Sequence, residues 1–260
     1  MAESSPSITA VSTSRRRWPW ILAGIALLAV AVLWELKTLS AERSLLVADP
    51  DTALRDAGLM AMAASSGRAA FQVNCQGCHG AGGTGNPGFG APNLTDADWL
   101  YGVGLPSEIE RIVAYGVRSN HPKSWNLAVM PAYGRAPGAG GNAPEPLTPS
   151  EVSDLVEYLA SLQGDSADTA AAARGHAVYN DRGGCFDCHS RDAGGDPSVG
   201  APNLKDRVWL YGDGNREQLR RSIADGHQGV CPSFIGSLSP MQIRAVALYV
   251  SSLSQPQQVK

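Results

Sequence analysis

A chain of 260 residues has room for one large domain or two small ones. Charged residues are only 17% and the net charge is −3, which gives no ground for a nucleic-acid partner, and 29 Gly with 17 Pro imply compact units rich in loops. Five cysteines fall as Cys75/Cys78, Cys185/Cys188 and a single Cys231, a poor disulfide framework but a good pattern for a metal or cofactor.

The first element is an apolar run from Trp18 to Leu33, extended by Trp34 to the first charge at Glu35. As a helix these residues reach about 26 Å, enough to cross a thin bilayer core. Trp18, Trp20 and Trp34 stand at its ends, where interfacial aromatics belong, and Arg15, Arg16 and Arg17 precede it. The positive-inside rule then keeps the N-terminus cytoplasmic and exports the rest. A cleaved signal peptide is the competing reading, but the run is long for one and Thr38-Leu39-Ser40-Ala41 is a weak cleavage site. The expectation is a single-pass anchor in residues 1–35, followed by a linker over 36–65 whose Ala-rich part is a helical or flexible spacer.

The remainder is a repeat. Cys75-Gln76-Gly77-Cys78-His79 returns as Cys185-Phe186-Asp187-Cys188-His189, Gly90-Ala91-Pro92-Asn93-Leu94 as Gly200-Ala201-Pro202-Asn203-Leu204, and Trp99-Leu100-Tyr101-Gly102 as Trp209-Leu210-Tyr211-Gly212, all offset by 110. Gly116 and Gly226 keep that offset, Met130-Pro131 and Cys231-Pro232 are offset by 101, and the closing helices by 91. The first copy therefore carries two insertions, one around Asn120-His121-Pro122 and one in the Gly/Pro-rich stretch Pro137 to Pro146, read as a surface loop. Two copies of one fold are expected, over 66–163 and 164–260, joined by a short linker that begins at Gln163.

Helices bracket each copy. Short ones are expected before each cysteine pair, from about Ser66 to Asn74 and Arg174 to Asn180. Thr148-Pro149-Ser150-Glu151 opens a closing helix to Leu162, and Ser239-Pro240 opens its counterpart to Leu253. No β-branched alternating run reads as a strand, so the fold class is all-α.

The chemistry lies in the two C-x-x-C-H motifs. Cysteines at i and i+3 of a helical turn share a face, so both thiols reach the vinyl groups of one porphyrin, and the following histidine lies beneath the iron. Two covalent haems are implied, on Cys75, Cys78 and His79 and on Cys185, Cys188 and His189. Met130 is the candidate sixth ligand of the first copy by elimination among five methionines. Pro92 and Pro202 are candidates to offer carbonyls to the free ring nitrogens of His79 and His189. No carboxylate pair, Ser/His pair or phosphate loop suggests catalysis.

These blocks resemble small all-helical c-type cytochromes, with Gly67-x-x-x-Phe71 and Gly175-x-x-x-Tyr179 matching the first helix and Tyr158 and Tyr249 the last. Gly90 to Asp96 with Trp99 to Gly102, repeated behind one anchor, resembles more closely the dihaem CcoP/FixP-type subunit of cbb-type haem–copper oxidases, and the loop Asn120-His121-Pro122 leading to Met130-Pro131-Ala132-Tyr133-Gly134 fits its first domain. The resemblance implies two tandem small cytochrome c domains behind a single N-terminal transmembrane helix in the bacterial inner membrane, with the haem domains in the periplasm. It also implies a soluble or membrane cytochrome c as donor, and catalytic and monohaem oxidase subunits as partners. The second copy departs from the family's Gly-Arg-x-Gly-x-Met-Pro, reading Gly226-His227-Gln228-Gly229-Val230-Cys231-Pro232. Cys231 as a thiolate ligand, His227 as the ligand, and an open or water-bound iron all remain for the second haem. His121 and His176 read as ordinary loop and helix residues. Besides an oxidase subunit, the sequence admits a stand-alone dihaem carrier or a haem-thiolate redox or gas sensor.

Overall fold

The computed structural model describes residues 18–135, 144–165 and 168–254. Arg15, Arg16 and Arg17 and most of the loop Pro137 to Pro146 lie outside them. Among the described residues all regular structure is helical, with isolated β-bridges and no strand. The chain divides into two units, residues 1–44 and 45–260.

Helix α1, Trp18–Val47, runs beyond the apolar stretch to 30 residues, about 45 Å of helix. From Trp18 to Leu36 its apolar side chains are exposed on every face, Trp20 at 80% and Leu27 at 72%, which calls for a lipid surround. Within the helix the hydroxyls of Thr38 and Ser44 donate back to the carbonyls of Trp34 and Ser40.

In the second unit α2 (Pro50–Ala53) and α3 (Ala57–Asn74) start at aspartate caps. Asp56 Oδ1 accepts from the amides of Gly58 and Leu59 at 2.8 and 3.0 Å. That cap begins α3 well before Ser66, and the Ala-rich stretch belongs to it. There Ala63 packs with Leu45, Ala53, Ala245 and Leu248. Short turns α4 (Gln76–His79) and α8 (Phe186–His189) carry the histidines, and α7 (Thr169–Asn180) precedes the second of them. Helices α5 (Pro106–Tyr115) and α9 (Arg216–Asp225), not expected from the sequence, end at Gly116 and Gly226 with φ of +77° and +66°. The closing helices are α6 (Pro149–Leu162) and α10 (Pro240–Ser254). Thr148 and Glu151 form a reciprocal cap on α6, and Ser239 with Gln242 does the same on α10.

Two lobes result, and they do not follow the sequence repeats. In the first, α3 and α5 pack on α10: Phe71, Ile109, Val113, Val246 and Tyr249 form one buried cluster. In the second, α7 and α9 pack on α6: Tyr179, Leu219, Leu155 and Tyr158 form another. Each lobe thus takes its closing helix from the other copy. The Phe71 ring meets Tyr249 edge-on at 5.6 Å, and Tyr179 meets Tyr158 at 5.4 Å. Burying rings such as Phe71 and Tyr179 stabilises each lobe by roughly 1.5–3 kcal/mol apiece.

The short connection from α6 to α7 is one physical cause, because a few residues between helices favour an antiparallel neighbour over a distant partner. Close approach is the other. A Cβ at Gly67 would lie 2.2 Å from the Ala245 carbonyl, and one at Gly175 2.0 Å from the Asp154 carbonyl. Buried Arg244 on α10 then secures the first lobe, donating to Glu110 and to the carbonyls of Leu45 and Ala48.

The chain crosses between lobes twice, and the crossing segments pair antiparallel. Val117 N donates to Cys231 O at 2.9 Å and Cys231 N returns to Val117 O at 3.0 Å. His227 N donates to Met130 O at 3.0 Å and Met130 N to His227 O at 3.2 Å. Since Val117 and His227 are 110 apart and Met130 and Cys231 are 101 apart, these two exchanges are repeat-equivalent.

Candidate functional site

Each C-x-x-C-H motif closes a tight turn after a helix. His79 N donates to Cys75 O at 3.0 Å, and His189 N to Cys185 O at 2.9 Å, which brings both thiols of a pair to one side. The loops beyond return a carbonyl to the ring: His79 Nδ1 lies 3.0 Å from Pro92 O, and His189 Nδ1 2.9 Å from Pro202 O. Gly85 and Gly195, at φ of +82°, leave room for this, since a Cβ on either would strike the loop backbone below 3.0 Å. Burial pushes both imidazoles down from their ordinary pKa. The neutral ring donates Nδ1–H to the proline carbonyl and presents the Nε2 lone pair.

In the second lobe Cys185, Cys188, His189 and Pro202 line a cavity that Met130 lines as well. Leu155, Tyr179, Trp209 and Ile223 give that cavity apolar sides. A flat, largely apolar, covalently held group whose metal takes an imidazole nitrogen and a thioether sulfur would fit these residues. In the first lobe the thiol brought to the motif is Cys231. Burial first, and then the neighbouring thiols, push Cys75 up to about 11; Cys231 is among those neighbours. Cys231 is likewise pushed up to about 11 by burial and Cys78. A thiol so placed is protonated on its own, and a bound cation is what would deprotonate it.

The expected pairing of sulfurs with motifs is therefore exchanged. Met130 faces His189 and not His79, and Cys231 faces Cys75 and Cys78 and not the second motif. His227 lines the cavity of Met130 and His189, whereas Cys231 lies by Cys75 and Cys78. The His227 ring stacks on Tyr211 at 3.7 Å, and its Nε2 lies 2.8 Å from Ser222 Oγ. His121 stacks on Tyr115, and His176 meets Tyr158 edge-on.

The cytochrome c family model matches residues 64–163, and that of the cbb3-type cytochrome c oxidase subunit III matches residues 170–250. The chain is 40% identical to the cbb3-type cytochrome c oxidase subunit FixP of Bradyrhizobium sp. (strain ORS 278), over 76% of this chain and 64% of that one. It is 37% identical to the subunit CcoP of Cereibacter sphaeroides, over 76% and 63%. It is also 37% identical to the subunit CcoP of Rhodobacter capsulatus, over 82% and 69%. This chain belongs to the CcoP/FixP family. It spans a little under two thirds of the first two of these relatives.

As a CcoP/FixP-family chain it has two c-type cytochrome motifs, with one apolar helix before them among the described residues. The sequence singled out the repeated Gly-Ala-Pro and Trp-Leu-Tyr-Gly blocks but not that they meet across the copies. The Tyr211 ring occupies the space a Cβ on Gly90 would need, and Tyr101 the space at Gly200. Trp125 Nε1 donates to Ser198 O at 2.9 Å and Gly102 N to Pro197 O at 3.2 Å, closing the same seam.

Proposed function

We propose that the chain is a membrane-anchored dihaem electron-transfer subunit, carrying haem c on Cys75 and Cys78 and on Cys185 and Cys188. Haem c when bound supplies a one-electron ferric/ferrous couple. His79 and His189 are the proximal ligands, oriented by the carbonyls of Pro92 and Pro202. Met130, in the cavity of His189, and Cys231, beside Cys75 and Cys78, are the residues that would hold the two irons together with these histidines. The observation that carries this reading is the repeated geometry of a C-x-x-C-H turn, a buried neutral histidine and a proline carbonyl about 3 Å from its Nδ1.

By family membership the chain takes electrons from a soluble or membrane cytochrome c on the periplasmic side. It passes them to the catalytic subunit of a cbb3-type oxidase, beside a monohaem subunit. Cys231 beside Cys75 and Cys78 favours a thiolate-ligated first haem, which keeps a redox-sensing role for that lobe as the second reading.

The test is gentle affinity purification from membranes, with haem counted on the denatured chain. Two covalent haems and a co-purifying haem–copper subunit are expected. Recovery of the chain alone from several mild detergents would contradict the oxidase assignment.

A further inference from the structure

Arg118 is a charged side chain that the function above does not use. It sits in the first crossing segment with a left-handed backbone, φ +48°, a conformation that a non-glycine residue keeps only where its surroundings hold it. Its Nε donates to Gly229 O at 2.5 Å, and its Nη1 to Tyr101 Oη at 2.8 Å and to Ala128 O at 3.1 Å. Every one of these partners is neutral. Among the described residues no carboxylate pairs with Arg118, although the side chain is half-buried and lines the cavity of Met130 and His189.

A half-buried guanidinium facing an apolar cavity without a counter-ion is costly. The missing anion belongs to whatever fills the cavity, and a haem brings two carboxylates. The other lobe has nothing comparable, because the residue 110 positions on is Gln228, neutral and exposed. Acids do bear on the second motif: Asp187 and Asp196 both act on Cys188. Asp187 is exposed, and the Asp196 carboxylate is taken up by Ser198, so both face water that screens them.

We propose that Arg118 is the counter-cation of the second lobe's haem, pairing with one of its carboxylates and holding that site's reduction potential above what its ligands alone would set. The proposal rests on the haem reading. Reduction adds a negative charge, so a fixed cation nearby favours the ferrous form, and neutralising a carboxylate does the same. The hydrogen bonds to Gly229, Tyr101 and Ala128 keep the guanidinium in place between the two crossing segments.

The test is a redox titration of the full dihaem protein in detergent, comparing Arg118→Gln, Arg118→Gly and Arg118→Lys. Glycine suits the left-handed backbone, so that variant removes the charge without adding strain. Gln and Gly should each shift the second-lobe couple at least tenfold towards the ferric form, about 59 mV for one electron, and Lys should restore most of it. The couple is assigned by repeating the titration in a Cys75→Ala/Cys78→Ala background. Unchanged couples with both haems retained would overturn the proposal, as would a shift confined to the first lobe. Fewer than two covalent haems on the denatured wild-type chain would instead overturn the reading beneath it.

Discussion

The two lobes are assembled from the same parts and then made chemically different at a few positions. Phe71 against Tyr249 is repeated by Tyr179 against Tyr158, and the Val117–Cys231 backbone pair by His227–Met130. His79 over Pro92 is repeated by His189 over Pro202. Against this shared frame, Cys231 stands where the other lobe has Met130, Gln228 where it has Arg118, and Phe234 where it has Tyr133. The common residues are those that set backbone path and helix crossing. In the second lobe the replaced ones, Arg118, Met130 and Tyr133, all line the cavity.

The exchange of closing helices gives the comparison its largest test. If each lobe needs the other copy's last helix, a chain ending at Gln163 has no α10 for Phe71, Ile109 and Val113 to cover. Such a chain should show no cooperative thermal transition and no protease-resistant core. A folded one-haem protein from residues 1–163 would mean that helices pair within copies.

A smaller effect is expected at the helix crossings. Gly67→Ala and Gly175→Ala would place a methyl about 2 Å from a backbone carbonyl of the partner helix. Overpacking there outweighs the roughly 1 kcal/mol that alanine gains in helix propensity. A net loss of about 2 kcal/mol is expected for each in denaturant titrations. Equal or greater stability would show that the helices are not in that close contact.

The smallest effect distinguishes the lobes at one hydroxyl. Buried Tyr133 donates to Gly183 O at 2.6 Å, whereas Phe234 in the other lobe has no hydroxyl to donate. Tyr133→Phe should cost about 1 kcal/mol and leave both haems attached. No change in the denaturation midpoint would mean that the carbonyl finds water instead.

Much of this was legible in the sequence, and what was not has a common cause. The motifs, their proline loops and the caps at Thr148 and Ser239 are local patterns, each contained in fewer than about twenty residues. Helix α9 was hidden because only Leu219 and Ile223 of its ten residues are buried hydrophobics, and the N-terminal half of α3 because alanines carry no periodic signal. The exchange of helices is a different matter. Two copies with interchangeable contact surfaces have identical patterns whether they pair within or across copies. The choice is made by the α6–α7 connection and by the path of residues 117–131, neither of which alters the motif spacing. The sequence could thus name Met130 and Cys231 as sixth-ligand candidates, but its repeat order assigns Met130 to the first motif and Cys231 to the second. Arg118 escaped notice because its significance lies in its three neutral partners, which come from three separate stretches of chain.

The most direct test of the exchanged sulfurs uses a protein with a single haem. In the Cys75→Ala/Cys78→Ala background the remaining haem is held by Cys185, Cys188 and His189, and its ferric spectrum and potential report its sixth ligand. Met130→Ala should remove the thioether signature and lower the potential in this background, while Cys231→Ala should leave both unchanged. The reverse outcome, with Cys231→Ala altering the spectrum and Met130→Ala silent, would show that each copy ligates its own haem and would contradict the account.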